Sequence, residues 1–159
     1  MLTVPTEIKD SLIANKGVFS ILEIPKGKIV GLLPYQAKLI SRRGYQKGQA
    51  EGDNLIIMTG VRWIGDYFIV GDEITNEEYI NHSEKPNLLY HCGILIALRD
   101  IKPYEELTVN YQYFLAEIDY CRFIDNVSNK EVDGLTGIDS LKNSCVELLK
   151  LLSEIKEIT

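Results

Sequence analysis

The side chains best suited to chemistry cluster in one polar stretch, Asn81-His82-Ser83-Glu84-Lys85-Pro86-Asn87. It joins an imidazole to two carboxamides and a hydroxyl. Tyr111 adds a phenol just after the short stretch Leu-Thr-Val-Asn at 107–110. Taken singly, these residues are unspecific. A histidine in a loop is most often a hydrogen-bonding residue, asparagines favour turns, and a tyrosine closing a strand is more often half-buried core. His91 and Cys92 are adjacent, but two ligands without partners do not make a metal site. The three cysteines, Cys92, Cys121 and Cys145, are odd in number and widely spaced. They suggest neither a disulfide framework nor a zinc cluster, and fit free thiols in a reducing compartment. There is no Ser-His-Asp order, P-loop or GxGxxG, so hydrolase and nucleotide-fold readings have no support.

The residues say more in order. Lys16-Gly17-Val18-Phe19 is followed by Pro25-Lys26-Gly27, by YINHSEKPN at 79–87 and by ALRDIKPYEELTVNYQY at 97–113. In this order the sequence resembles the SET-domain family of protein-lysine methyltransferases. That family has a Gly-x-Gly-Val-Phe start, an Asn-His-Ser-x-x-Pro-Asn loop and an Ala-x-Arg-Asp-Ile…Glu-Glu-Leu-Thr-x-x-Tyr segment. The layout resembles the compact, stand-alone SET proteins of viruses and bacteria more than a module of a large chromatin protein.

The resemblance implies a mostly β fold, the β-clip of short antiparallel sheets with a threaded C-terminal segment, followed by C-terminal α-helices. It implies S-adenosylmethionine as cofactor and a basic, lysine-containing protein or peptide as partner, such as a histone-like or ribosomal tail. It makes Tyr111 the catalytic tyrosine. Lys16, Gly17, Val18, Phe19, Asn81 and His82 become cofactor-binding residues, and Leu33, Tyr35, Tyr67 and Tyr113 line the substrate channel. No metal is implied. Asn15 stands where the first Gly is usual, Tyr104 replaces the Gly of the Pro-Gly-Glu-Glu turn, and Leu33 falls where many relatives carry a channel tyrosine. The cysteine-rich zinc segment that closes the channel in relatives is absent, leaving Phe114, Tyr120 or Phe123 as candidate lids. The alternatives are a SET fold that only binds a basic peptide and a dimerising structural protein.

The elements that must position these residues are read from periodicity. The segments 18–21 and 28–33 read as strands about the Pro25-Lys26-Gly27 turn, and 34–40 as a short helix. The polar segment 41–53, with three Gly, reads as an exposed loop. The apolar runs 55–58, 61–64 and 67–70 read as an antiparallel meander, 88–91 and 94–98 as a hairpin about Cys92-Gly93, and 107–110 as a last strand. A helix is expected over 113–123, then a polar break. From Ile138, the residues Leu141, Cys145, Leu148, Leu152 and Ile155 recur at alternating spacings of three and four, an amphipathic helix. It either docks on its own domain or makes a homodimer contact over 138–155. The chain then divides into 1–113, with a variable insert at about 34–66, and a helical extension over 114–159.

With 159 residues and 45% apolar composition the chain suits one folded domain. The net charge of −6 argues against direct nucleic-acid binding. Between Glu51 and Glu84 eight acids face one cation, Arg62. This stretch is either a solvated acidic face or an acidic lip for a basic peptide. No apolar run reaches a membrane span and the first residues form no signal peptide. The expected setting is intracellular, cytoplasmic or nuclear, with no membrane partner and no secretion.

Overall fold

The computed structural model describes residues 1–32, 36–117 and 123–155. Among them are twelve short strands, three α-helices and two 3-10 turns. The first hairpin pairs β1 (Thr6–Asp10) with β2 (Lys16–Ser20), antiparallel. A five-stranded sheet has the order β3 (Ile29–Gly31), β9 (Ile94–Ala97), β8 (Leu88–His91), β10 (Thr108–Val109), β7 (Asn81–His82). Its β8–β9 turn places Cys92 at φ 49° and Gly93 at φ 85°. Two successive left-handed residues give the turn whose twist matches the strands it joins.

The decisive feature is β10. It slots between β7 and β8 and runs parallel to both, with Thr108 opposite Asn81 and Val109 opposite His82. Parallel neighbours cannot be joined by a tight turn, so the chain passes through the gap between segments already in place. Val18, Val30, Leu88, Leu89, Ile101, Leu107 and Val109 form the core around this passage, each 3% exposed or less.

A separate sheet orders β4 (Lys38–Ser41), β6 (Tyr67–Val70) and β5 (Val61–Ile64). Between β4 and β5 lie α1 (Arg42–Glu51) and α2 (Asn54–Thr59). Three readings of this region are corrected. Residues 38–41 are strand, where a helix was expected over 34–40. The expected loop over 41–53 is mostly α1, and 55–58 is helical. The caps explain the outcome. Ser41 Oγ accepts from Gly44 N–H, Gly52 ends α1 at φ 73°, and Asp53 accepts from the N–H groups of Leu55 and Ile56. Gly48 marks a close approach of helices, not a loop, because a Cβ there would run into Ile56 Cδ1. Tyr45 of α1 stacks on Phe68, centroids 4.1 Å apart.

Arg62 on β5 is 1% exposed. Its guanidinium donates to the carbonyls of Gly65 (2.6 Å), Leu115 (3.3 Å) and Leu135 (3.1 Å) and lies over the Phe68 ring. This side chain therefore fastens the chain beyond the last motif to the β4–β6–β5 sheet.

After β10 a 3-10 turn spans Tyr111–Tyr113. The helix expected over 113–123 does not begin at Tyr113, whose turn ends there, and Phe123 leads into a small hairpin, β11 (Ile124–Asp125) with β12 (Lys130–Glu131). The C-terminal extension thus holds one α-helix among the described residues, α3 (Gly137–Glu154), capped by the Thr136 hydroxyl on Asp139 N–H. It docks on its own domain. Leu151 is buried, but Ser140 and Ser144 are the other deeply covered residues. Ser140 Oγ donates to Tyr113 O at 2.6 Å, and Ser144 Oγ shares a 2.9 Å hydrogen bond with His91 Nδ1. Ile138 and Leu152 of the apolar stripe stay exposed. No helix among the described residues is long and apolar enough to cross a membrane.

Candidate active site

The passage of β10 sets His82 and Tyr111 side by side. Val109 pairs with His82, and two residues later the backbone N–H of Tyr111 donates to His82 Nδ1 at 3.2 Å. Nδ1 is therefore the acceptor nitrogen and the proton of a neutral ring sits on Nε2. Burial holds the His82 pKa below the ordinary 6.5 against the opposing pull of Asp125 and Glu84, which keeps the ring neutral. The Tyr111 hydroxyl donates to the Ile80 carbonyl at 2.7 Å. Burial, then the charge of Glu106, pushes the Tyr111 phenol well above its usual range, so it is a hydrogen-bond donor and not an anion.

Aromatic rings close in on this pair. From Tyr111 the centroids of Phe123, Phe114 and His82 lie 4.6, 4.8 and 5.4 Å away. Two of the lid candidates, Phe114 and Phe123, are thus in contact with Tyr111. On the side of Ile80, Tyr111 lines a cavity of about 140 Å³ with Ile69, Leu95, Val109, Glu78 and Phe114. Glu77 and Glu78 line both this cavity and a larger hollow of about 720 Å³ that also has Asp72 and Glu73 on its wall. An apolar cavity thus opens toward an acidic trough.

Of the residues proposed for the cofactor, Lys16 and Asn81 are in direct contact. Asn81 and His82 are 8% and 3% exposed. Asn81 Nδ2 donates to Lys16 O at 2.9 Å, to Glu106 Oε1 at 2.7 Å and, more weakly, to Ser11 Oγ at 3.2 Å. The Lys16 ammonium is turned outward onto Asp10, 2.5 Å away. Gly17 is packed against the Glu106 carboxylate. Val18 is fully buried in the core, its carbonyl taken by Leu107 N–H, and Phe19 bridges to Glu106. Of the four residues 16–19, Lys16 thus reaches the site through its backbone and Val18 supports it from below.

The channel residues divide. Tyr67 is 53% exposed on β6, two residues from Ile69 and on the same strand face, but it does not line the cavity. Tyr113 points elsewhere: its hydroxyl donates to Glu147 of α3, and it lines a separate hollow with Glu84, Asn110 and Lys150. The helix that docks here pulls it away from Tyr111. Leu33 and Tyr35, like Tyr120 and Cys121, lie outside the described residues. Sequence reasoning missed Ser11, Ile80 and Glu106. Ile80 acts through its carbonyl, which carries no sequence signal. Glu106 was visible only as part of a motif, and Ser11 lies outside every motif. Among the described residues no group of three or more His, Cys, Asp or Glu could hold a metal ion.

The donor set suits the cofactor implied by the motifs. Asn81 Oδ1 is left as an acceptor and Glu106 carries a negative charge, so the Asn81 end favours a cationic amino-acid portion. His82, in edge contact with Phe123 at 5.8 Å, gives a neutral aromatic border.

The SET domain family profile matches residues 15–112. No curated protein matches the chain. Among solved structures, the Neurospora SET domain protein DIM-5, a histone lysine methyltransferase, is 21% identical with a TM-score of 0.56, covering 76% of this chain and 56% of that one. A humanized mutant of the Chaetomium thermophilum Polycomb Repressive Complex 2 is 20% identical with a TM-score of 0.51, covering 98% of this chain and 22% of that one. The chain therefore spans between about a fifth and just over half of these relatives' length. At such identities the likeness is one of fold. Because the family profile covers most of the chain, from the loop before β2 to the turn that carries Tyr111, this protein belongs to the SET-domain family.

Proposed function

We propose that this protein transfers a methyl group from S-adenosylmethionine to the ε-amine of a lysine in a basic protein segment. The reading is carried by one observation: threading of β10 sets the Tyr111 hydroxyl on the Ile80 carbonyl, at an apolar cavity that opens onto acidic residues. When bound, the cofactor supplies an electrophilic methyl carbon on a sulfonium.

The chain's own residues supply the rest. An amine must be neutral to attack, yet a lysine in water has a pKa of about 10.4. Apolar walls such as Ile69, Leu95 and Val109 disfavour the ammonium and promote loss of its proton. Glu77 is paired with the Met1 ammonium, so Glu78 at the shared rim, with Asp72 and Glu73 of the trough, attracts the cationic form before it enters. Tyr111 stays protonated, so it orients and polarises without serving as base. The Ile80 carbonyl and the phenol oxygen together form a polar ring suited to weak CH···O contacts. The largest service is alignment, worth up to about 7–11 kcal/mol in the best cases. The acidic trough supports a partner rich in Lys and Arg, with histone-like tails as the first substrates to try.

The test is transfer of tritiated methyl from the cofactor to core histones and other basic proteins. Labelling by the wild type and a loss of about 100-fold or more in Tyr111→Phe are expected, since one positioned polar group contributes on that order. No cofactor binding and no label on any basic protein would overturn the proposal.

A further inference from the structure

Glu106 has no assigned role, and its surroundings are unusual for a carboxylate. Its side chain is half-buried and is held by neutral groups: Ser11 Oγ donates to Oε1 and Oε2 at 2.8 and 2.9 Å, and Asn81 Nδ2 donates to Oε1 at 2.7 Å. Among the described residues no Lys or Arg forms an ion pair with it, while Lys16, nearby in the chain, is committed to Asp10. A half-buried anion without a counter-charge is costly unless a ligand supplies one.

The hydrogen bonds also fix which atoms remain. The two N–H bonds of Asn81 Nδ2 are spent mainly on Lys16 O and Glu106 Oε1, the shorter contacts. Planarity then points Oδ1 the opposite way as an acceptor. Ser11 Oγ spends its hydrogen on Glu106 and accepts from Ile13 N–H at 2.9 Å. What is left around Glu106 is acceptors and negative charge. A sulfonium has no N–H to give to such a surface, whereas a primary ammonium has three donors.

We propose that Glu106 is a cofactor-positioning residue: it holds the Asn81 carboxamide with its oxygen outward and provides the counter-charge for the α-ammonium of the cofactor's amino-acid portion. This rests on the reading of the protein as an S-adenosylmethionine enzyme.

Calorimetry on the intact protein tests it with two probes. S-adenosylhomocysteine carries the ammonium, and 5′-methylthioadenosine lacks the whole amino-acid portion. Glu106→Gln keeps the size and an acceptor for Asn81 but removes the charge. It should weaken S-adenosylhomocysteine by about tenfold or more and leave 5′-methylthioadenosine within about twofold. Glu106→Asp, which restores the charge, should recover part of the loss. Equal weakening of both probes would mean a merely structural role, and no weakening would mean none; either overturns the proposal. A measurement on the wild type alone covers the case of a variant that does not fold. The deaminated analogue of S-adenosylhomocysteine should bind about tenfold or more weaker than the parent, and equal binding refutes the role. A wild type that binds neither probe would instead sink the methyltransferase reading itself.

Discussion

Gly17 offers the sharpest test of how the site is packed. Its backbone is not in the left-handed region, so nothing but space demands glycine there. A Cβ at this position would overlap Glu106 Oε1, come within 2.8 Å of Glu106 Cδ and reach 3.0 Å from Ser11 Cβ. The carboxylate is the end of a side chain, but it is tied to Ser11 and Asn81. Gly17→Ala must either compress this contact or break the ties. Overpacking or loss of charge-assisted hydrogen bonds costs about 2–4 kcal/mol. The better strand propensity of Ala returns about 0.5–1 kcal/mol. The net loss of roughly 1–3.5 kcal/mol corresponds to a fall in Tm of about 2–14 °C for a chain of this size. Thermal unfolding followed by circular dichroism measures it. The same substitution in a Glu106→Ala background should cost little, because the obstructing atoms are gone, giving a coupling of about 1–3 kcal/mol. A Tm unchanged within about 1 °C in Gly17→Ala, or equal costs in the two backgrounds, would refute the packing argument.

Two further outcomes follow from the buried polar groups. Arg62→Met removes a guanidinium that holds three backbone carbonyls; these are left without their donors, so urea unfolding should show a loss of about 3–5 kcal/mol, and a loss under about 1 kcal/mol would contradict the clamp. Both histidines, His82 and His91, have pKa values lowered from 6.5, foremost by burial. The unfolded chain then takes up protons first as pH falls, so their stabilising contribution is full above about pH 6.5 and is lost as pH drops below it toward the folded-state values, at up to about 1.4 kcal/mol per pH unit for each. Stability measured between pH 7.5 and 5.5 should therefore fall, by less in His91→Gln, and a flat profile over that range would contradict the assignment.

Much of the site was legible because its residues sit in two ordered blocks. The pairing of His82 with Val109, and hence the nearness of Tyr111, is what the Asn-His-Ser and Glu-Glu-Leu-Thr segments implied. The Cys92-Gly93 hairpin was equally plain, since turn chemistry is local. The errors have a common cause: contacts over long separations. Gly44 and Gly48 suggested a loop, but Gly48 is required by Ile56 of the neighbouring helix. The run 55–58 is apolar and short, which fits strand or helix until Asp53 is seen to cap it. On α3 the spacing of leucines identified the helix, yet two serines mark much of its docked face, because they bond Tyr113 and His91. Tyr113 follows from the same contact: α3 claims its hydroxyl through Glu147. Ser11 meets Glu106 across 95 residues, a pairing no local pattern announces.

The most direct measurement is a crystal structure with S-adenosylhomocysteine. It should place the ligand against residues 16–17 and Asn81-His82, with its sulfur facing the Tyr111 hydroxyl and its ammonium on Asn81 Oδ1, near the Glu106 charge. A ligand bound elsewhere, or a Tyr111 hydroxyl turned away from the sulfur, would contradict the account.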